Sequence, residues 1–284
     1  MIPNNLIINA DDFGIDPRVS KGIAHCVENG LINSFSVLPF LDTFHDTLLK
    51  SLISRFPNIR VGSHLTFIQT HHQSDGSQVQ EGLREHSNHY RDFLKLYLLG
   101  RYPPSRIYTE WKSQILFIGK YLGGPEKIAH LDSHQHFHVL PGIWPVAVAL
   151  QKEFGIPRLR VPYESLSRSV FYKFPFGFAL QVLAALRKIE PGLHASKTDR
   201  RRLIGFFSST HFTLEANLRG LRMVKENPQR HYELMVHPAV PCELERSESF
   251  DLTLSKVSVG QAREVEELGR VLEFFRFQSN KKDP

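Results

Sequence analysis

His130-Leu131-Asp132-Ser133-His134-Gln135-His136-Phe137-His138-Val139-Leu140-Pro141-Gly142 is the stretch on which the reading of this chain turns. It holds four of the fifteen histidines. Side chains of an extended segment alternate between faces, so His130, Asp132, His134, His136 and His138 are expected on one face. Imidazole suits zinc, nickel, copper or iron, and a carboxylate admits harder ions. Only some of these histidines would bind one ion directly; the others would orient ligands or touch substrate. The cluster is internal and interleaved with apolar residues, which excludes an affinity tag. Pro141-Gly142 ends the segment before an apolar run, Ile143 to Leu150. Strand, loop and helix in that order place such residues at the C-terminal rim of an α/β barrel, where active sites sit.

Other segments fall into the same rhythm. Leu6 to Ala10 is a short apolar run, expected as a buried first strand that delivers Asp11-Asp12-Phe13-Gly14 to its exit. Adjacent carboxylates repel unless a cation or proton lies between them. If one binds a metal, the other can act as a base toward water; a polar loop with Asx-turns is the alternative. Val19 to Asn29 reads as a helix ending at Gly30, Ser34 to Pro39 as a strand and Thr43 to Phe56 as a helix. Ile59 to Thr66 is expected as a strand with His64 at its exit. Gln69 to Arg91 is polar and turn-rich, a long loop of the kind that covers active sites. Ile107 to Tyr121 and Ile143 to Phe154 are expected helices, and Arg158 to Pro162 a strand with Arg160 near the rim. Leu203 to Phe207 and Tyr232 to Val236 complete the strands, the latter delivering His237-Pro238-Ala239. Thr213 to Lys225 and Val259 to Phe274 are the last expected helices. No repeat or linker divides the 284 residues. The expectation is one α/β domain over 1–284: parallel strands in a distorted (β/α) barrel, with an inserted helical segment at 165–202.

Composition limits the function classes. A chain of this length buries a core without disulfide support. Cys26 and Cys242 lack CxxC spacing, which points to a reduced, cytoplasmic setting. No signal peptide is evident, and no window reaches the ~18 apolar residues of a membrane span. The formal charge of +6 suits solubility, an anionic membrane or an acidic substrate. No nucleic-acid motif is present.

Ala10-Asp11-Asp12-Phe13-Gly14, Gly62-Ser63-His64-Leu65 and His130 to His138, with the late Met235-Val236-His237-Pro238-Ala239, together resemble the YdjC-like carbohydrate deacetylase family. Ser63 is a departure, since such proteins often carry an apolar residue before the histidine. The resemblance implies a barrel-like fold and removal of acetyl groups from N-acetylated sugars with one divalent metal ion, magnesium or zinc. By the same resemblance Asp12, His64 and His134 are the metal ligands and Asp11 the base toward water. His237 is the candidate acid that protonates the departing amine. Asp132, His138 and Arg160 are expected to support ligands or substrate. Two other classes stay open. A metal-dependent phosphoesterase would want more carboxylates and a second metal. A metal-binding regulatory protein would need no base beside its metal.

Residues 165–202 match no shared motif. Phe171 to Phe178 carries five aromatics in eight residues, and Ala179 to Ile189 continues as an apolar helix. Arg187, Lys188, Lys197, Arg200, Arg201 and Arg202 supply a basic flank. A hairpin packed on the barrel or a homodimer contact is one reading. The sharper one is a lid at the inner membrane face: aromatics enter the acyl boundary and the basic flank meets anionic head groups. The sugar would then be carried on a lipid. That resembles the family branch associated with hopanoid glycolipids more than the branch acting on soluble chitooligosaccharides.

Overall fold

The computed structural model describes residues 1–39, 44–67, 95, 97–164, 175–189, 201–208, 212–240 and 252–277. Strands β1 (Leu6–Phe13), β2 (Ser34–Val37), β3 (Arg60–Leu65), β4 (Leu131–Ser133), β5 (Arg202–Ile204) and β6 (Tyr232–Val236) form one parallel sheet in the order β4-β3-β2-β1-β6-β5. Helices α1 (Pro17–Glu28), α2 (Asp46–Arg55), α3 (Pro104–Leu122), α4 (Trp144–Glu153), α5 (Pro175–Ile189), α6 (Leu214–Glu226) and α7 (Leu252–Phe277) flank it. The helix signals in the sequence have local causes. Asp16 caps α1 by accepting from the Arg18 amide at 2.7 Å, with Pro17 at the first position. Thr213 caps α6 from the Ala216 amide at 3.1 Å.

The sheet curls until its two edges nearly meet, and residues 158–163 bridge the gap. The Leu131 amide donates to the Arg158 carbonyl at 2.8 Å, and the Arg160 amide to the Leu131 carbonyl at 2.9 Å. On the other side the Leu203 amide donates to the Tyr163 carbonyl at 3.1 Å. The expected strand at 158–162 is therefore only a one-residue bridge at Leu159. Pro157 and Pro162 flank it, and neither can donate to a ladder.

The curled sheet has two faces with different chemistry. Leu6, Ile8 and Ala10 face the apolar layer under the helices, with Ile23, Phe35, Leu221 and Leu268. Each fully buried Leu, Ile or Phe side chain among them contributes about 1.5–3 kcal/mol. The alternate residues point into the barrel. There Asn9, Asp11, Ser36, His64, Asp132, Arg160 and Glu233 are all buried and linked by polar contacts. Barrels of this class are usually filled by branched apolar side chains; this one is filled by charge.

One irregularity shapes the rim. Along β1, Ala10 pairs with Phe35 and Phe13 with Val37, so three steps on one strand match two on the other. The extra residue is a β-bulge at Asp11–Asp12, and Asp12 takes φ 74°. Aspartate tolerates that left-handed conformation better than most residues. The bulge cancels the strand's alternation, so two consecutive carboxylates can serve one site.

Of the expected insertion 165–202, the long loop 69–91 and the aromatic run 171–178, most lies outside the described residues. Helix α5 is described. Gln181 ties it to the closing segment, donating to the Pro162 carbonyl at 2.7 Å and accepting from the Glu164 amide at 2.8 Å. Arg187 lies over the Trp144 ring, 5.8 Å from its centroid. Among the described residues no helix is long and apolar enough to cross a membrane.

Candidate active site

The alternation expected for the histidine stretch does not occur. Strand β4 stops at Ser133, and residues 134–139 form a short 3-10 segment in which Gln135 and His136 have φ 53° and 58°. The five groups consequently fan out. His134 turns to Asp12. His136 stacks on Phe206, centroids 5.2 Å apart. His138 goes under the rim, paired with Ser133 Oγ at 2.6 Å and the Arg160 carbonyl at 2.8 Å. Burial pushes the His138 imidazole down to about 4, so it is neutral and holds the closing segment in place. His130 is buried against Gly62, where even a methyl group would come within 2.2 Å of the imidazole.

Three of the expected residues converge on one atom. Asp12 Oδ1 lies 2.8 Å from His134 Nδ1 and 3.1 Å from His64 Nε2. They come from the exits of β1, β3 and β4, with donor atoms all within 4.8 Å of one another. Burial would raise the Asp12 carboxyl, but His134 and His64 outweigh it and hold it well below the usual carboxylate range. On its other side His237 Nε2 stands 3.9 Å from Asp12 Oδ2. Burial lowers the His237 imidazole below its ordinary value, against the pull of Asp12 and Asp11.

Asp132 supports this set from behind. Its Oδ1 accepts from His64 Nδ1 at 2.8 Å, which turns Nε2 toward Asp12. Burial would lower His64, yet Asp132 and Asp11 bring it up to about 10. An imidazolium between two carboxylates is the charge arrangement that a divalent cation on Nε2 and Asp12 would replace. The donors, one carboxylate and two imidazoles, fit such an ion.

Arg160 is not at the rim. It is 1% exposed inside the barrel and serves three carboxylates. Its Nη1 and Nη2 hold Asp11 at 2.6 and 2.8 Å, Nη1 reaches Asp132 at 2.9 Å, and Nη2 reaches Glu233 at 2.6 Å. Asn9 Nδ2 adds a bond to Asp11 at 2.7 Å. Burial raises the Asp11 carboxyl, but Arg160 wins and the group sits below its ordinary value, ionised. Asp11, His64 and Asp132 also bring donor atoms within 4.8 Å, but the guanidinium already occupies the space between the two carboxylates.

Two contributors were not singled out from sequence. Glu233 accepts from Arg158 Nη1 at 2.8 Å as well as from Arg160. Glu264, on α7, accepts from the His237 amide at 2.5 Å.

Comparison with known proteins bears on the family and the fold. The family model described as YdjC-like protein matches residues 5–272. A carbohydrate deacetylase of Vibrio parahaemolyticus is 28% identical over 176 residues, 60% of this chain and 65% of that protein. One from Brevibacillus brevis is 29% identical over 158 residues, 56% of this chain and 59% of its own length. The chain thus spans less than two thirds of these curated relatives. A crystal structure from Enterococcus faecalis, of a protein with the provisional name cellobiose-phosphate cleavage protein, superimposes with a TM-score of 0.54 at 22% identity. It covers 93% of this chain and 92% of its own, which is a likeness of fold. With its family model matched from the first strand into the last helix, this chain belongs to the YdjC-like protein family.

Proposed function

We propose that this protein is a divalent-metal-dependent hydrolase that removes the acetyl group from an N-acetylated sugar. The observation that carries the reading is the convergence of Asp12, His64 and His134 beside a second, Arg-bound carboxylate and an imidazole on the far side. The deacetylase names of the relatives point the same way. Asp12, His64 and His134 would hold the ion, which when bound polarises the acetyl carbonyl and acidifies water.

The chain's own groups divide the remaining work. Asp11 is kept ionised and immobile by Arg160 and Asn9, and accepts the proton of the attacking water. His237 rests neutral, because burial disfavours its charged form. A proton that reaches it is weakly held and passes readily to the departing amine nitrogen, which cannot leave as an anion. Asp132 keeps the His64 ring oriented, and Arg160 stops Asp11 from turning toward the ion.

The filled space between Asp11 and Asp132 disfavours the phosphoesterase reading, since among the described residues the second cluster of ligand-type donors already holds the Arg160 guanidinium. For the finer identity of the substrate we infer a sugar carried on a lipid, such as a hopanoid-type glycolipid. Val182 and Leu186 of α5 support it: they are 43% and 49% exposed on a helix that packs beside residues 134–139. A soluble chitooligosaccharide is the alternative substrate.

The test is release of acetate from diacetylchitobiose and from an N-acetylglucosaminyl lipid, with and without chelator, beside a phosphomonoester control. Acetate release that chelation abolishes is expected. Phosphate release, or full activity in rigorously metal-free protein, would overturn the reaction. Flotation with anionic vesicles that salt reverses is expected of the lipid reading. Efficient turnover of the soluble sugar with no flotation would leave the reaction standing and remove the lipid.

A further inference from the structure

The segment His237-Pro238-Ala239 leaves β6 where the sheet can no longer hold it. The β1–β6 ladder runs regularly from Leu6↔Tyr232 to Ala10↔Val236 and stops there, because the next residues of β1 are the bulge. The His237 amide is therefore left without a strand partner at the moment its side chain reaches the site. A buried amide without an acceptor costs about 1–3 kcal/mol. Helix α7 supplies the acceptor. Glu264 is 0% exposed, and its Oε2 takes the His237 N–H at 2.5 Å. One turn earlier the Gln261 carbonyl takes the Ala239 N–H at 3.2 Å, and from α1 the Arg18 carbonyl takes that of Val240 at 3.1 Å. Gly22 of α1 completes the clamp: a Cβ there would lie 2.5 Å from the Ala239 Cα.

We propose that Glu264 is a positioning residue for the reaction, fixing the His237 imidazole beside Asp12 through its bond to the His237 amide. The proposal rests on the acid role given to His237 above. Glu264 itself touches neither the Asp12 cluster nor a reacting atom. A buried carboxyl on a terminal helix is an expensive acceptor, and burial raises this one to about 8 against the lowering pull of nearby amides. A short serine would not span the gap; the long side chain reaches from the helix axis to the strand exit.

The experiment uses the full chain loaded with zinc, assayed on an N-acetylated sugar and on an activated acetate ester whose alcohol leaves without a proton. Glu264→Leu should lower kcat on the amide by about 10–10²-fold, the scale of an ångström's misplacement. Its KM, its bound metal and its ester rate should stay within about twofold of the parent. Glu264→Gln keeps an acceptor oxygen at the same reach and should restore the amide rate. Equal loss on amide and ester, or a Gln variant as poor as Leu, would overturn the proposal. If Glu264→Leu fails to fold, Glu264→Asp takes its place, with the same split expected and the same equal loss overturning it. A parallel arm follows the His237 imidazole nitrogens by NMR in metal-free protein, assigned with His237→Gln. Signals that move in Leu but not in Gln support positioning, and signals unmoved in both refute it. Should the parent release no acetate from any N-acetylated sugar, the functional reading fails while this arm still decides the role of Glu264.

Discussion

Replacing Arg160 by methionine tests the charged barrel interior most directly. Arg160 serves Asp11, Asp132 and Glu233, but the loss is not threefold. Glu233 keeps Arg158 at 2.8 Å, and Asp132 keeps His64 at 2.8 Å. Only Asp11 is left without a direct cation, with Asn9 at 2.7 Å and Ser36 at 3.3 Å as its remaining donors. One uncompensated buried charge costs about 3–5 kcal/mol. At about 2.1 cal/mol/K per residue, unfolding 284 residues carries an entropy of about 600 cal/mol/K, so Tm should drop by about 5–8 °C. The pH dependence has a definite sign. In the parent, Arg160 holds Asp11 below its ordinary value, so that stability is present above the unfolded pKa of about 3.9 and is lost as pH falls through the folded pKa. In the variant, burial is unopposed by Arg160 and raises Asp11; the deficit is then largest at neutral pH and shrinks on acidification as the carboxyl takes up a proton. Scanning calorimetry of the metal-free protein at several pH values measures both. Adding Asp11→Asn should recover part of the loss, with a coupling of about 1–3 kcal/mol. A methionine variant melting with the parent at neutral pH, or a deficit that grows toward acid, would refute the reasoning.

Three further outcomes are expected. Asp11→Asn should retain metal, measured by emission spectrometry after gel filtration, and lose turnover by about 10²–10⁴-fold, whereas His134→Ala should lose stoichiometric metal. Glu264→Gln should flatten the alkaline side of the stability profile. The parent's carboxyl binds its proton up to about 8 when folded but only to about 4.5 unfolded, so the parent weakens as pH rises through that window and the variant does not; urea unfolding at pH 5 and pH 8.5 compares them. Gly22→Ala should cost about 1–3 kcal/mol by pressing on Ala239, and should lower deacetylation more than metal binding, read by thermal melts and calorimetric titration.

Much of this was legible in the chain. The alternation of strands and helices gave a parallel barrel, and Asp11-Asp12, His64 and His134 lie at strand exits as their positions after apolar runs suggest. The spread of His134, His136 and His138 was not legible, because the left-handed turn at Gln135-His136 uses residues that carry no glycine signal. A complete strand over Arg158 to Pro162 would carry Arg160 to the rim; the prolines on either side make it a bridge instead. Glu233 did have a signal, a lone carboxylate within Tyr232 to Val236 facing two arginines spaced like a strand pair. Glu264 had a weak one. It lies four residues before Leu268 and seven before Val271, on the buried stripe of α7, while Glu266 falls on the exposed side.

The place of β1 in the sheet bears on how the chain assembles. It precedes every other strand in sequence, yet its partner on one side is the last: Leu6 pairs with Tyr232. Those residues are 226 positions apart, and synthesis at about 5–20 residues per second separates their emergence by roughly 10–45 s. Throughout that interval one edge of an apolar strand has no native neighbour, the condition that invites pairing with a foreign chain. Such long-range pairing also slows folding after release. The same late arrival of β6 brings Glu233 and His237, so the barrel's interior charges balance only late in assembly, and the candidate acid is seated later still, when α7 brings Glu264.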